Sequence, residues 1–121
     1  MGESQEWVEK LISSYVERLN QHIRVSRVLV FGSRARGDFE DSSDLDLLII
    51  SPDFEGMYLE DRCKLLLKCW GRENYLKLRI NAYGYTPKEF NKAKSCDPLV
   101  RKALRDGVVT LKAKGDGECH T

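Results

Sequence analysis

The sequence predicts one small α/β domain, α+β in the wider sense, with helices packed on a single sheet. Segments with apolar residues at three- and four-residue spacing alternate along the chain with short runs that are β-branched or alternate apolar and polar. Pro, Gly and capping residues stand where one kind of segment gives way to the next. The length of 121 residues allows one core and leaves no room for a second domain of ordinary size. Residues 1–112 are read as the domain, and 113–121, rich in Lys, Gly, Asp and Glu, as a polar tail.

Trp7, Val8, Leu11, Ile12, Tyr15 and Leu19 share one side of a helix from Gln5 to about Gln21, with Glu and Lys opposite. A first strand follows over Arg27–Phe31, then a helical turn from Ser33, a polar loop through Phe39 to Ser43, and a second strand over Asp44–Ile50. Ser51-Pro52 stops that strand, and Asp53–Gly56 reads as loop. Leu59, Cys63, Leu66 and Trp70 mark one face of a helix from about Tyr58 to Trp70, closed by Gly71, with Cys63 expected to be buried. Tyr75–Tyr83 reads as a third strand, with Leu76, Leu78 and Ile80 on one side and Tyr75, Lys77, Arg79 and Asn81 on the other. Thr86-Pro87-Lys88-Glu89 is a capping box that opens a helix, and Asp97-Pro98 opens another. Gly107 ends the latter before a short last strand, Val108–Leu111. Leu99, Val100 and Leu104 of that helix serve either the core or a partner or homodimer contact.

The stretch from Val28 to Ser51, VLVFGSRARGDFEDSSDLDLLIIS, carries the chemistry. Gly32-Ser33 ends the first strand as strand-to-helix turns do, so free backbone N–H groups, with the Ser33 hydroxyl, face whatever anion enters the turn. Ten residues separate Ser33 from Asp44-Leu45-Asp46, which heads the apolar run Leu47-Leu48-Ile49-Ile50. Strand alternation sends both carboxylates to one side while Leu45, Leu47 and Ile49 pack on the other. Two adjacent carboxylates repel each other, and a divalent cation relieves that repulsion. The pattern suits a metal-bound triphosphate.

The formal charge is +1, from 20 basic and 19 acidic residues, so nothing global marks a nucleic-acid binder. Any positive field must be local, and Arg24, Arg27, Arg34 and Arg36 bracket the Gly-Ser turn. No apolar run is long enough to span a bilayer, and Glu3 and Glu6 occupy positions where a signal peptide carries basic charge. A cytoplasmic location is expected. Cys63, Cys69, Cys96 and Cys119 form no Cys-x-x-Cys pair and have no histidines spaced to complete a zinc site, so they are read as reduced thiols. Cys119-His120, in the polar tail, is not read as a ligand set.

Gly-Ser, ten residues, then Asp-x-Asp on an apolar strand resembles the signature of the DNA polymerase beta superfamily of nucleotidyltransferases. GSRARGD (32–38) followed by SDLDLLI (43–49) is closer still to its minimal nucleotidyltransferase group, and the resemblance runs on, less specifically, through Tyr85–Phe90 and Asp106–Val109. It implies a small mixed sheet with helices against one face. The implied reaction moves a nucleoside monophosphate, AMP from ATP, onto a hydroxyl, with two magnesium ions stabilising both ends of an in-line displacement. Asp44 and Asp46 would hold the metal as the catalytic carboxylates; Gly32, Ser33 and Arg36 would grip the phosphates. Catalytic members usually bring a third carboxylate from a neighbouring strand. Four positions before Tyr85 this chain has Asn81, whose amide can ligate a metal through oxygen but brings no charge and is a poor base.

The resemblance further implies a protein acceptor, with the chain as antitoxin of a toxin–antitoxin pair whose partner is a helical HEPN-domain ribonuclease. Two alternatives stand beside it: a nucleotide-binding scaffold antitoxin with weak or no catalysis, and a small-molecule nucleotidyltransferase of the antibiotic-modifying kind.

Overall fold

The computed structural model describes residues 2–38, 40, 43–106 and 110–112. In chain order the elements are α1 (Gly2–Leu19), β1 (Arg27–Phe31), α2 (Ser33–Arg36), β2 (Leu45–Ile50), α3 (Leu59–Trp70), α4 (Arg72–Lys77), β3 (Ile80–Tyr85), α5 (Pro87–Ala93), α6 (Pro98–Arg105) and β4 (Thr110–Lys112). A one-turn 3₁₀ helix, Pro52–Phe54, follows β2, with the Ser51 hydroxyl accepting from the Asp53 amide at 3.0 Å. The strands form one mixed sheet in the order β3-β2-β1-β4. β1 runs antiparallel to β2 and β4, whereas β2 and β3 are parallel. Among the described residues no helix is long and apolar enough to cross a membrane.

β2 is buried from Leu47 to Ile50 because both sheet faces are covered. On one face Leu45, Leu47, Ile49, Val28, Val30 and Ile80 pack with α1 and α3. Tyr15 meets Trp70 there edge to face at 5.0 Å between ring centres, and its hydroxyl donates to the Leu66 carbonyl at 2.8 Å. On the other face Leu29, Phe31, Leu48 and Ile50 pack with Phe90, Ala93, Val100 and Ala103 of α5 and α6. The expectation of helices against one face is therefore corrected: α5 and α6 cover much of the second. Val100 belongs to the core, Leu99 packs partly against it, and Leu104 is exposed.

The third strand is corrected as well. Arg72–Lys77 is helical and β3 begins only at Ile80, running to Tyr85. Leu76 fits an alternating pattern on paper yet is 77% exposed; Leu78 and Ile80 are the buried members of that set. A fresh helical turn is available after Gly71, and Asn74 steadies it by donating to the Trp70 carbonyl at 2.8 Å.

The buried face of α3 also differs from expectation. Cys63 and Leu59 are exposed, and Arg62 is buried with Leu66, Cys69 and Trp70. Burying a guanidinium requires that its donors be met. Arg62 donates to the carbonyls of Met57 (3.1 Å), Phe54 (2.9 Å) and Gly84 (3.1 Å), and to both Glu89 oxygens at 2.7 and 3.1 Å. The Thr86–Glu89 capping box is formed, so Glu89 serves α5 and Arg62 together. β4 overlaps the expected last strand at Thr110 and Leu111. Gly107, Val108 and Val109, and the tail with Cys119-His120, lie outside the described residues.

Candidate active site

Strand register assembles the site. Phe31, the last residue of β1, lies opposite Asp46 of β2, and Asp46 lies opposite Asn81 of β3. The turn after Phe31, the Asp-x-Asp segment and Asn81 thus meet at one end of the sheet. Asp44 stands just before β2 and Asp46 within it, both half-exposed, while Leu45 between them is buried on the opposite face.

Gly32 has φ 82° and ψ −161°, a region open in practice only to glycine, and an added Cβ would overlap Asp46 Oδ2. That position therefore needs glycine twice over: for the backbone angle, and because the Asp46 carboxylate lies directly against the turn. Ser33 opens α2, and the Gly32 carbonyl accepts from the amides of Ala35 and Arg36 at 3.1 Å each.

Asn81 Nδ2 donates to Asp46 Oδ1 at 3.0 Å and to Asp44 Oδ2 at 3.4 Å. One oxygen of each carboxylate thus reaches the same amide nitrogen. Arg79, ahead of β3, pairs with Asp44 Oδ1 at 3.2 Å through Nε. The pair thus draws positive charge and N–H donors from several directions, the surroundings a divalent cation would replace. The oxygen donor set fits a hard cation such as magnesium. Among the described residues no third His, Cys, Asp or Glu joins the two aspartates in such a group. Burial, with the Asp46 carboxylate nearby, pushes the Tyr83 phenol above its ordinary value.

The four arginines near the turn in sequence do not form one field. Arg24 pairs with Asp53 at 2.7 Å, and Arg27 starts β1 at the end away from Phe31, its guanidinium 5.4 Å above the Phe90 ring. Buried Arg34 donates to the Ser43 carbonyl at 3.1 Å, tying the loop before Asp44 to the turn. Arg36 is exposed beside the turn; its Nε donates to Asp38 at 3.3 Å and its Nη1 to Asp106 Oδ2 at 3.3 Å.

Asp106 was not singled out by the sequence as a site residue. Its Oδ2 also accepts from the Gly32 amide at 2.8 Å. Alternation sets Arg79 on the side of Asn81, but neither its pairing with Asp44 nor the Asp106 clasp leaves a signal in the sequence, since an ion pair or an amide clasp between distant segments leaves no periodicity behind.

The sequence profile of the nucleotidyltransferase domain family matches residues 9–109. A Methanocaldococcus jannaschii protein provisionally named a protein adenylyltransferase is 36% identical over 86 residues, which cover 69% of this chain and 79% of that protein. A crystal structure provisionally described as a nucleotidyltransferase from Sulfolobus solfataricus superposes with a TM-score of 0.59 at 30% identity, covering 74% of this chain and 77% of that one.

Proposed function

The chain belongs to the nucleotidyltransferase domain family, and from that membership we propose that it moves AMP from ATP onto a hydroxyl of a partner protein. The observation that carries the reading is that Asp44 and Asp46 meet at the Asn81 amide while Asp46 also lies directly against Gly32 at the mouth of the Gly-Ser turn. Asp44 and Asp46 hold the divalent metal in this account. When bound, magnesium supplies charge neutralisation at the α-phosphate and activation of the attacking hydroxyl. The Ser33 and Arg34 amides, which follow the Gly32 amide held by Asp106, bind the β- and γ-phosphates with the Ser33 hydroxyl, and Arg36 turns from Asp38 toward them as a further cation. Gly32 lets the phosphate grip and the metal carboxylates approach without an intervening side chain.

A protein acceptor is favoured by the adenylyltransferase name of the archaeal relative. Resemblance to minimal nucleotidyltransferases suggests that the partner is a HEPN-type helical protein, with this chain as its antitoxin. One observation favours a second reading, a nucleotide-binding scaffold with little turnover: Asn81 rather than a carboxylate faces the pair.

The test is incubation of the chain and its co-purifying partner with ATP labelled at the α-phosphate, in magnesium. Label on the partner, absent with Asp46→Ala, is the expected result. Bound nucleotide with no label on protein would establish the scaffold reading instead, and label on an added small hydroxyl compound alone would overturn the protein acceptor.

A further inference from the structure

We infer that Asp106 is a positioning residue for the triphosphate: its Oδ2 clasps the Gly32 amide and holds Arg36, fixing together the turn and the cation that meet the phosphates. The inference rests on the reading of Gly32, Ser33 and Arg36 as the phosphate grip.

Asp106 follows directly on α6, 74 positions from Gly32 in sequence, and its side chain is only 6% exposed. So little exposure is tolerable for a carboxylate only with close partners, and Asp106 has them in the Gly32 amide at 2.8 Å and Arg36 Nη1 at 3.3 Å. The support behind it is rigid, because α6 is seated on the sheet through fully buried Val100 and Ala103. Gly32 is thereby held from two sides, with Asp106 at its amide and Asp46 Oδ2 against its Cα. A free Gly in this backbone region has many alternatives, and the clasp selects the one in which the following amides open the α2 turn.

Arg36 is 40% exposed, with Asp38 and Asp106 both bonded to its guanidinium. An arginine restrained before the ligand arrives loses less freedom on binding it. Asp106 thus acts on the phosphates through Gly32 and Arg36. The two contacts also partly neutralise its own charge beside an anionic ligand.

The experiment measures binding of the α,β-methylene analogue of ATP and of AMP, both with magnesium, by titration calorimetry, with melting of each ligand-free protein alongside. Asp106→Ala should lose about tenfold in affinity for the triphosphate, the scale of one or two hydrogen bonds to a charged group, with AMP affinity nearly unchanged. Asp106→Asn, which keeps an acceptor for the Gly32 amide, should recover part of that loss, and adding Arg36→Ala to it should cost no more than Arg36→Ala alone. Ser33→Ala is the control for the grip itself. If Ser33→Ala weakens the triphosphate and folded Asp106→Ala does not, the inference is wrong while the grip stands; if neither does, both fall. Equal losses for triphosphate and AMP would make Asp106 a general structural residue and overturn the inference. Should the Ala variant not fold, Asp106→Asn decides: wild-type triphosphate affinity overturns the inference, and a loss confined to the triphosphate supports it.

Discussion

Asn81 lies directly across the parallel β2–β3 ladder from Asp46, its Nδ2 3.0 Å from Asp46 Oδ1. The amide thus faces the carboxylates from the place where catalytic relatives are expected to carry a third one. Asn81→Asp should raise magnesium-dependent transfer of label to the protein acceptor by roughly 10²-fold, the scale of a positioned general base. Without metal the same change places three like charges together, so the melting temperature should fall and recover on adding magnesium. Unchanged transfer with unchanged metal dependence would mean that another group completes the site.

Ser33→Ala removes one hydroxyl from the proposed phosphate grip. Triphosphate affinity should fall by about 1 kcal/mol, roughly fivefold, and AMP affinity by less. Calorimetric titration of both nucleotides checks this, and an equal loss for both would place the hydroxyl elsewhere.

Gly32→Ala introduces a Cβ where Asp46 Oδ2 lies, in backbone geometry that non-glycine residues rarely adopt. Stability should drop by about 1–3 kcal/mol from the backbone alone. The displaced carboxylate should also cost tenfold or more in magnesium-dependent nucleotide binding, read by comparing titrations with magnesium and with chelator. A loss of stability with intact metal dependence would show that Asp46 need not touch the turn.

Much of this arrangement is legible in the chain. Asp44 and Asp46 follow from the alternation of side chains along a short apolar strand, Gly32 and Ser33 from the turn that ends one, and both rules are local. Asn81 falls on the same side whether the strand is read over Tyr75–Tyr83 or runs over Ile80–Tyr85, because alternation depends on parity and parity survives a misplaced start. The burial of Arg62 and the site role of Asp106, which enters only within the less specific part of the resemblance, are not legible in the sequence. A period-based reading assigns arginine to solvent, whereas Arg62 is buried on carbonyls from segments that only the folded chain assembles. The Asp106 clasp spans 74 positions, beyond any local pattern.

The Arg62–Glu89 pair ties α3 to the start of α5, with Arg62 nearly buried and the Glu89 side chain 45% exposed. Bonds from Arg62 hold the Glu89 carboxyl below its ordinary value. A depressed carboxyl contributes stability that is present above its unfolded value, about 4.3, and is lost as pH falls through the lower folded value. Glu89→Gln should therefore destabilise the domain at neutral pH by about 1–2 kcal/mol, discounted for the exposed partner. In thermal melts the gap between wild type and Glu89→Gln should narrow progressively as pH falls below about 4.3, and a gap that stays constant through the acid range would assign it to the capping box.

Above all, we propose that Asp44 and Asp46 together form a divalent-cation site that operates with a nucleoside triphosphate. Manganese, a paramagnetic stand-in for magnesium, reports it directly through the free-ion resonance signal during titration of the protein with the α,β-methylene analogue of ATP. Wild type should take manganese into a protein-bound complex beyond what the nucleotide alone retains, and Asp44→Ala and Asp46→Ala should each abolish that excess while still melting cooperatively. Undiminished manganese uptake in both folded variants would contradict the account.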